Sequence, residues 1–215
     1  SLTGNTYDSG RYALPLSRAA EEVGYEQLRS EQAARRRSGD TALLGIGVAS
    51  YVEITAGGGP TEFGAIDVHC DGSATIYAGT QSHGQGHQTA YAMIVSDQTG
   101  IPVNRIQLVD GDTDAVRTGG GTGGSRSLQL GGSAVRLLEA DAADIVVDVT
   151  TGTIGVAGVP AQALTWVDLA TAADNYGERL YGEFDFVQDD ATFPFGAHIA
   201  VVEVDRDTGH VRVIR

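Results

Sequence analysis

A single thiol, Cys70, excludes an internal disulfide and any all-cysteine zinc site, and it fits a reducing, cytoplasmic setting. Positive charge is scarce as well: 14 Lys and Arg stand against 28 Asp and Glu, a formal net charge of -14. Nucleic acid requires a clustered positive surface, so it is not an expected partner. The one basic run, Arg35-Arg36-Arg37, ends an expected helix, where it complements the negative end of the helix dipole. No stretch approaches the ~18 apolar residues of a membrane span. Ser1-Leu2-Thr3-Gly4 has no signal-peptide character, and the chain stops at Val213-Ile214-Arg215 within a strand-like pattern, so a fragment of a longer protein is expected.

What is present describes an ordinary folded domain: 41% hydrophobic and 20% charged residues, enough to build a core. Apolar spacing predicts a helix over 16–37 with a break at Gly24, and a long strand over 43–55. Residues 65–70 and 73–78 flank Asp71-Gly72, a strong hairpin signal. A helix over 87–99 is closed by Gly100 and Pro102, a strand follows at 106–109, and a further helix is expected over 128–140. Strands are expected at 145–149 and 154–159, a helix near 166–173 capped by Thr165, and a last hairpin of 195–204 with 210–214. Helix and strand mix without βαβ regularity, which predicts an α+β fold with mixed sheets and packed helices. Two subdomains are expected, 1–140 and a β-rich 141–215.

The 30 glycines gather in loops without a period. In Gly79-Thr80-Gln81-Ser82-His83-Gly84-Gln85-Gly86-His87-Gln88-Thr89, a glycine-rich turn opens onto a helix N-terminus, whose free N–H groups attract anions. Gly84 and Gly86 admit a ligand close to the backbone, while Gln81, Gln85 and Gln88 offer neutral donors and acceptors. His83 and His87 stand at i, i+4, but the intervening glycines disfavour a regular helix and no carboxylate is near in sequence, so no metal site is assigned. Thr118-Gly119-Gly120-Gly121-Thr122-Gly123-Gly124-Ser125-Arg126-Ser127 is a second candidate anion cradle before a helical segment. It lacks the Gly-Lys-Ser/Thr end of a P-loop. For each loop alone, a structural turn or flexible linker is the plain alternative. Asp110, Asp112 and Asp114 suit turn formation better than a calcium loop, His198 in its apolar strand suits a core position, and Glu183 and Glu203 stand in strand patterns; no catalytic residue is assigned.

Residues 79–89 and 121–133, taken with Tyr7-Asp8-Ser9-Gly10, residues 101–114 and Phe193-Pro194-Phe195-Gly196-Ala197-His198, resemble the xanthine dehydrogenase/aldehyde oxidase (molybdenum hydroxylase) family. The likeness is strongest to large subunits of the aerobic carbon-monoxide-dehydrogenase type and spans essentially the whole chain. It implies part of a molybdopterin-binding domain, with Gly84, Gln85, Gly86 and His87 against the pterin side of molybdopterin cytosine dinucleotide carrying Mo. It implies that Gly123, Gly124, Ser125, Arg126 and Ser127 hold the pyrophosphate and nucleotide. Also implied are an FAD-binding medium subunit, an iron–sulfur small subunit, a dimer of heterotrimers, and oxidation of CO or hydroxylation of an aldehyde, purine or N-heterocycle with oxygen from water. The family's catalytic glutamate and its Ala-Tyr-Arg motif have no match here, so the isolated chain is expected to be inactive; the alternative is a non-catalytic binding module that keeps the fold. Contractions relative to the family are expected near 135–137 and 176–183.

Overall fold

The computed structural model describes residues 4–8, 10–57, 59–137, 145–156 and 163–215. It divides into two compact units, one of residues 1–54 with 192–215 and one of residues 55–191. The class is α+β with mixed sheets, as the mixed periodicities predict. The expected subdomain boundary at 140/141 falls inside the second unit, because strands distant in sequence close both sheets.

In the first unit, helices α1 (Ala13–Val23) and α2 (Tyr25–Ser38) meet at Gly24, whose left-handed backbone (φ 69°) ends one helix and begins the next. Strand β1 (Ala42–Val52) pairs along its length with β9 (Phe195–Asp205), and β10 (Val211–Val213) adds to the far side of β9. The helices cover this sheet through Val23, Leu44 and Val201, with Tyr25, Leu28 and Ile199 around them. Gln32 reaches into that interface and donates to the Leu44 carbonyl at 2.8 Å. Arg35, in the last turn of α2, pairs with Glu31 and with Glu203 on β9. Those contacts, with Arg212 on the other side, hold the Glu203 carboxyl below its ordinary range, the Arg35 hydrogen bond contributing most. Contrary to expectation, His198 is exposed and its ring stacks on Tyr51, because the inward face of β9 is that of Ile199 and Val201.

The second unit is built on a four-stranded sheet of order β4 (Ile106–Asp110), β3 (Ala74–Ala78), β2 (Thr61–Val68), β8 (Leu180–Val187). β2 and β3 form the hairpin expected around Gly72, helped by Asp71, which accepts from the Ser73 N–H at 2.8 Å. A crossover through α3 (His87–Thr99) brings β4 parallel to β3. β8 returns antiparallel to β2. β2 is therefore buried on both faces: Ile66 and Val68 join Ile76, Tyr91 and Val95 in one cluster, Phe63 and Ala65 join Val116 in another. Fully burying side chains of this kind contributes roughly 1.5–3 kcal/mol each.

After a π-turn at Ser127–Gly131, α4 (Gly132–Leu137) packs across β2. The expected continuation to 140 lies outside the described residues, as do positions 157–159. A small sheet of β5 (Ile145–Asp148), β6 (Thr153–Val156) and β7 (Leu164–Thr165) precedes α5 (Trp166–Asn175). Among the described residues no helix is long and apolar enough to cross a membrane.

α5 begins with a full capping box: the Thr165 hydroxyl accepts from the Asp168 N–H, and the Asp168 carboxylate accepts from the Thr165 N–H. Trp166 then anchors the helix by donating to the Thr99 carbonyl at 2.7 Å. Thr165→Ala is expected to raise amide exchange in the first turn of α5 about fivefold, the equivalent of ~1 kcal/mol of cap, leaving α3 unchanged. Hydrogen exchange resolved by residue checks it.

Candidate functional site

The two glycine-rich loops come together in space. β3 ends at Ala78, and the chain at Gly79 meets the second loop at Gly119. A Cβ on Gly79 would lie 2.6 Å from Gly119 Cα and 2.2 Å from Glu62 Oε1, and one on Gly119 only 2.3 Å from Gly79 O. Neither position admits a side chain. Gly121 N donates to Gly79 O at 3.1 Å. Farther along, the Thr122 hydroxyl donates to Gln81 O at 2.6 Å and lies 3.1 Å from Gln81 N. An open cleft of about 260 Å³ lies beside this junction, lined by Gly79, Gln81, Asp112, Arg117, Gly119 and Gly121 among others.

Beneath the loops, buried polar groups tie them to the core. Tyr91 of α3 donates its one proton to the Ser127 carbonyl at 2.8 Å, which leaves the Thr80 hydroxyl to donate to the Tyr91 oxygen at 2.7 Å. One side chain thus joins the first loop, the helix and the second loop. Burial pushes the Tyr91 hydroxyl up to about 12, so it stays a donor.

Within the first loop, Gly84 (φ 100°) and Gly86 (φ 85°) take left-handed backbone, and a Cβ at either would meet nothing within 4 Å. They leave an open surface above the N-terminus of α3, which no side chain caps. The Gln85 carboxamide lies over this surface. Its Oε1 accepts from the His83 N–H, so its Nε2 donates to His87 Nε2 at 3.0 Å. His87 Nε2 is then an acceptor and the ring proton sits on Nδ1. That buried Nδ1 lies 3.9 Å from Asp110 Oδ2, beyond hydrogen-bond reach, and finds no hydrogen-bond partner among the described residues. The ring is stacked on Tyr91 at 5.1 Å.

Two side chains are spent differently from what the sequence suggests. Gln88 faces β4, donating to Ile106 O and accepting from Leu108 N, both at 2.9 Å; it satisfies the open edge of the sheet. Arg126 is 5% exposed, with its guanidinium turned inward to the fully buried Glu62 at 3.2 Å and donating to Thr61 O. The guanidinium expected to face a diphosphate is committed to the interior. In contrast, Gly123, Gly124 and Ser125 are exposed, and Ser125 holds a positive φ of 55°, rare for a residue with a Cβ and the kind of local strain that accompanies binding loops. Ser127 is half-buried, its hydroxyl 3.1 Å from that of Thr122. Glu62, Thr80 and Tyr91 escape a reading of sequence because nothing local marks a lone Glu, Thr or Tyr as a tie between loops.

Of the other expectations, Asp112 does serve a turn, accepting from the Asp114 N–H at 2.9 Å. Glu183 accepts from the Tyr181 hydroxyl at 2.8 Å and pairs with Arg117. Among the described residues no group of three or more His, Cys, Asp or Glu is placed to hold a metal ion. The donor set suits a polar organic anion: open backbone at a helix start, hydroxyls and a carboxamide.

Burial is the main cause that lowers the His87 pKa from its ordinary 6.5, outweighing the pull of Asp110. A histidine held neutral contributes stability that is fully present above 6.5 and is lost as pH falls through its lower folded value. NMR titration should place the His87 midpoint below 6.5, with amide protection across the 80–88 loop declining over the same window.

Residues 18–215 match the family described as "Molybdopterin cofactor-binding domain". The chain is 33% identical to the carbon monoxide dehydrogenase large chain of Afipia carboxidovorans, over 99% of this chain and 30% of that one. The reconstituted CO dehydrogenase structure from Oligotropha carboxidovorans superposes with a TM-score of 0.78 at 33% identity, covering 97% of this chain and 30% of that chain. Quinoline 2-oxidoreductase from Pseudomonas putida 86 follows at TM-score 0.75 and 28% identity, covering 98% and 30%. The chain thus spans about a third of the length of these relatives. It belongs to the molybdopterin cofactor-binding domain family.

Proposed function

We propose that this chain is the cofactor-holding part of the large subunit of a molybdenum hydroxylase, an oxidoreductase, and that its two loops form one cradle for molybdopterin cytosine dinucleotide. The junction of the two glycine-rich loops through Gly79, Gly119 and Thr122 is the observation that carries the reading. It brings the exposed backbone of both loops together beside an uncapped helix start, a surface suited to a diphosphate with ring systems on either side.

In this reading Gly84, Gln85, Gly86 and His87 bear on the pterin side, with Gln85 oriented by His87. Gly123, Gly124, Ser125 and Ser127 hold the pyrophosphate and nucleotide, and Arg126 serves from below. When bound, the group would supply the redox centre for hydroxylating an aldehyde, purine or N-heterocycle with oxygen from water, or for oxidising CO. This chain binds and orients; no catalytic residue is assigned to it. An FAD-binding medium subunit and an iron–sulfur small subunit, assembled as a dimer of heterotrimers, complete the proposal. The carbon monoxide dehydrogenase large chain supports the presence of partner subunits, and quinoline 2-oxidoreductase supports the class of reaction. The lone Cys70 supports a cytoplasmic setting.

The full-length protein, purified and acid-treated, should release a cytidine nucleotide and molybdenum in equal amounts per large subunit. Protein free of both would overturn the proposal. Gly123 offers a sharper probe, because a Cβ there meets nothing within 4 Å. Gly123→Asp places a carboxylate in the cradle and should lower nucleotide retention more than about tenfold by like-charge repulsion, while Gly123→Ala retains it.

A further inference from the structure

Glu62 is 1% exposed on β2, and among the described residues its cationic partner is Arg126 at 5%. Glu62 Oε1 accepts from Phe63 N at 3.0 Å and from Gly120 N at 3.1 Å. Arg126 Nη2 donates to Thr61 O at 2.6 Å, and Nη1 to Gly120 O at 3.3 Å. Both backbone groups of Gly120 are thereby held by this one ion pair. The packing is tight: a Cβ on Gly120 would lie 2.1 Å from Arg126 Nη1, and one on Gly79 2.2 Å from Glu62 Oε1. Yet Glu62 Oε2 and Arg126 Nε lack a hydrogen-bond partner among the described residues, so each charge depends on the other.

Gly121 N on Gly79 O, the Thr122 hydroxyl on Gln81 O and Ala56 N on Gly124 O also hold this loop, but the buried pair is what grips Gly120. Residues 119–124 hold five glycines and one threonine, with almost no side-chain surface to pack, and glycine loses the most freedom on ordering. We infer that the buried Glu62–Arg126 pair is the positioning device of the cradle: it sets the second loop against the first, and Arg126 acts on the bound anion through the loop backbone, not by touching it. The inference deepens the dinucleotide reading and rests on it.

The two roles open to Arg126 respond oppositely to removing Glu62. An arginine that contacts phosphate is missed whatever happens to Glu62. An arginine that neutralises Glu62 is missed because it leaves a buried, unpaired carboxylate, and removing that carboxylate repairs the damage. The test uses the full-length protein in its native assembly with Arg126→Ala, Glu62→Gln and the double variant. Nucleotide released by acid and amide exchange across residues 118–127 are read in each. Each single change should lower nucleotide retention at least about tenfold and raise exchange in the loop, with the buried stretch of α3 unchanged. The double variant should recover most of the retention lost in Arg126→Ala. A double variant no better than Arg126→Ala, or lost nucleotide with unchanged loop exchange, would mean direct contact and overturn the inference. Wild-type protein without nucleotide would sink the cradle reading instead, and the exchange data would then decide the pair alone. Should Arg126→Ala not fold, Arg126→Lys keeps the charge but loses the fork to Thr61 and Gly120. It should raise loop exchange several-fold, and unchanged exchange would equally overturn the pair's role.

Discussion

Where β3 runs out, the backbone at Gly79 lies against the backbone at Gly119, closer than any side chain would permit. The two positions are 40 apart in the sequence, with a helix and a strand between them. Their contact turns two unremarkable glycine-rich stretches into one surface, and it forces the neighbouring geometry. Thr122 can reach Gln81 only because the backbones touch, and the open cleft beside Arg117 and Asp112 is what the contact leaves uncovered.

Such a contact has an entropic cost of roughly 1–2 kcal/mol for each backbone residue ordered, and glycine lies at the high end. The second unit offsets it from below. Thr80, Tyr91 and Ser127 form one buried chain of hydrogen bonds, and Glu62 with Arg126 forms another. Both rise from elements that are themselves deeply packed: β2 is covered on two faces, and α3 buries Tyr91, Ala92 and Val95. The exposed rim of Gly84, Gln85, Gly86, Gly123, Gly124 and Ser125 is therefore carried on a stiff base. A binding site made of flexible residues can be preorganised in this way, because the constraint sits in the layer beneath the ligand.

Local elements were readable where local physics sets them. The helix over 87–99 ends at Gly100 as expected, the Asp71-Gly72 turn makes its hairpin, and Thr165 caps α5 with help from Asp168. β8 and the first half of β2 were not readable. Thr61-Glu62-Phe63-Gly64 follows a proline and contains a charge and a glycine, so it lacks any alternating pattern; it is a strand because residues 184–187 pair with it from far along the chain. Other long-range pairings, β1 with β9 and β3 with β4, decide that His198 faces outward and that Gln88 serves the edge of β4.

The sequence by itself determined that two anion-suited loops exist, each ahead of a helical segment, because glycine content, hydroxyls and helix-start signals are properties of neighbouring residues. It also identified the family, whose loop patterns survive as local strings. Only the tertiary structure decided that the two loops meet, and that Arg126 points into the protein toward Glu62. Charge and hydrogen-bonding capacity are written in the residue; the direction in which a side chain spends them depends on which distant carboxylate the fold has left buried beside it.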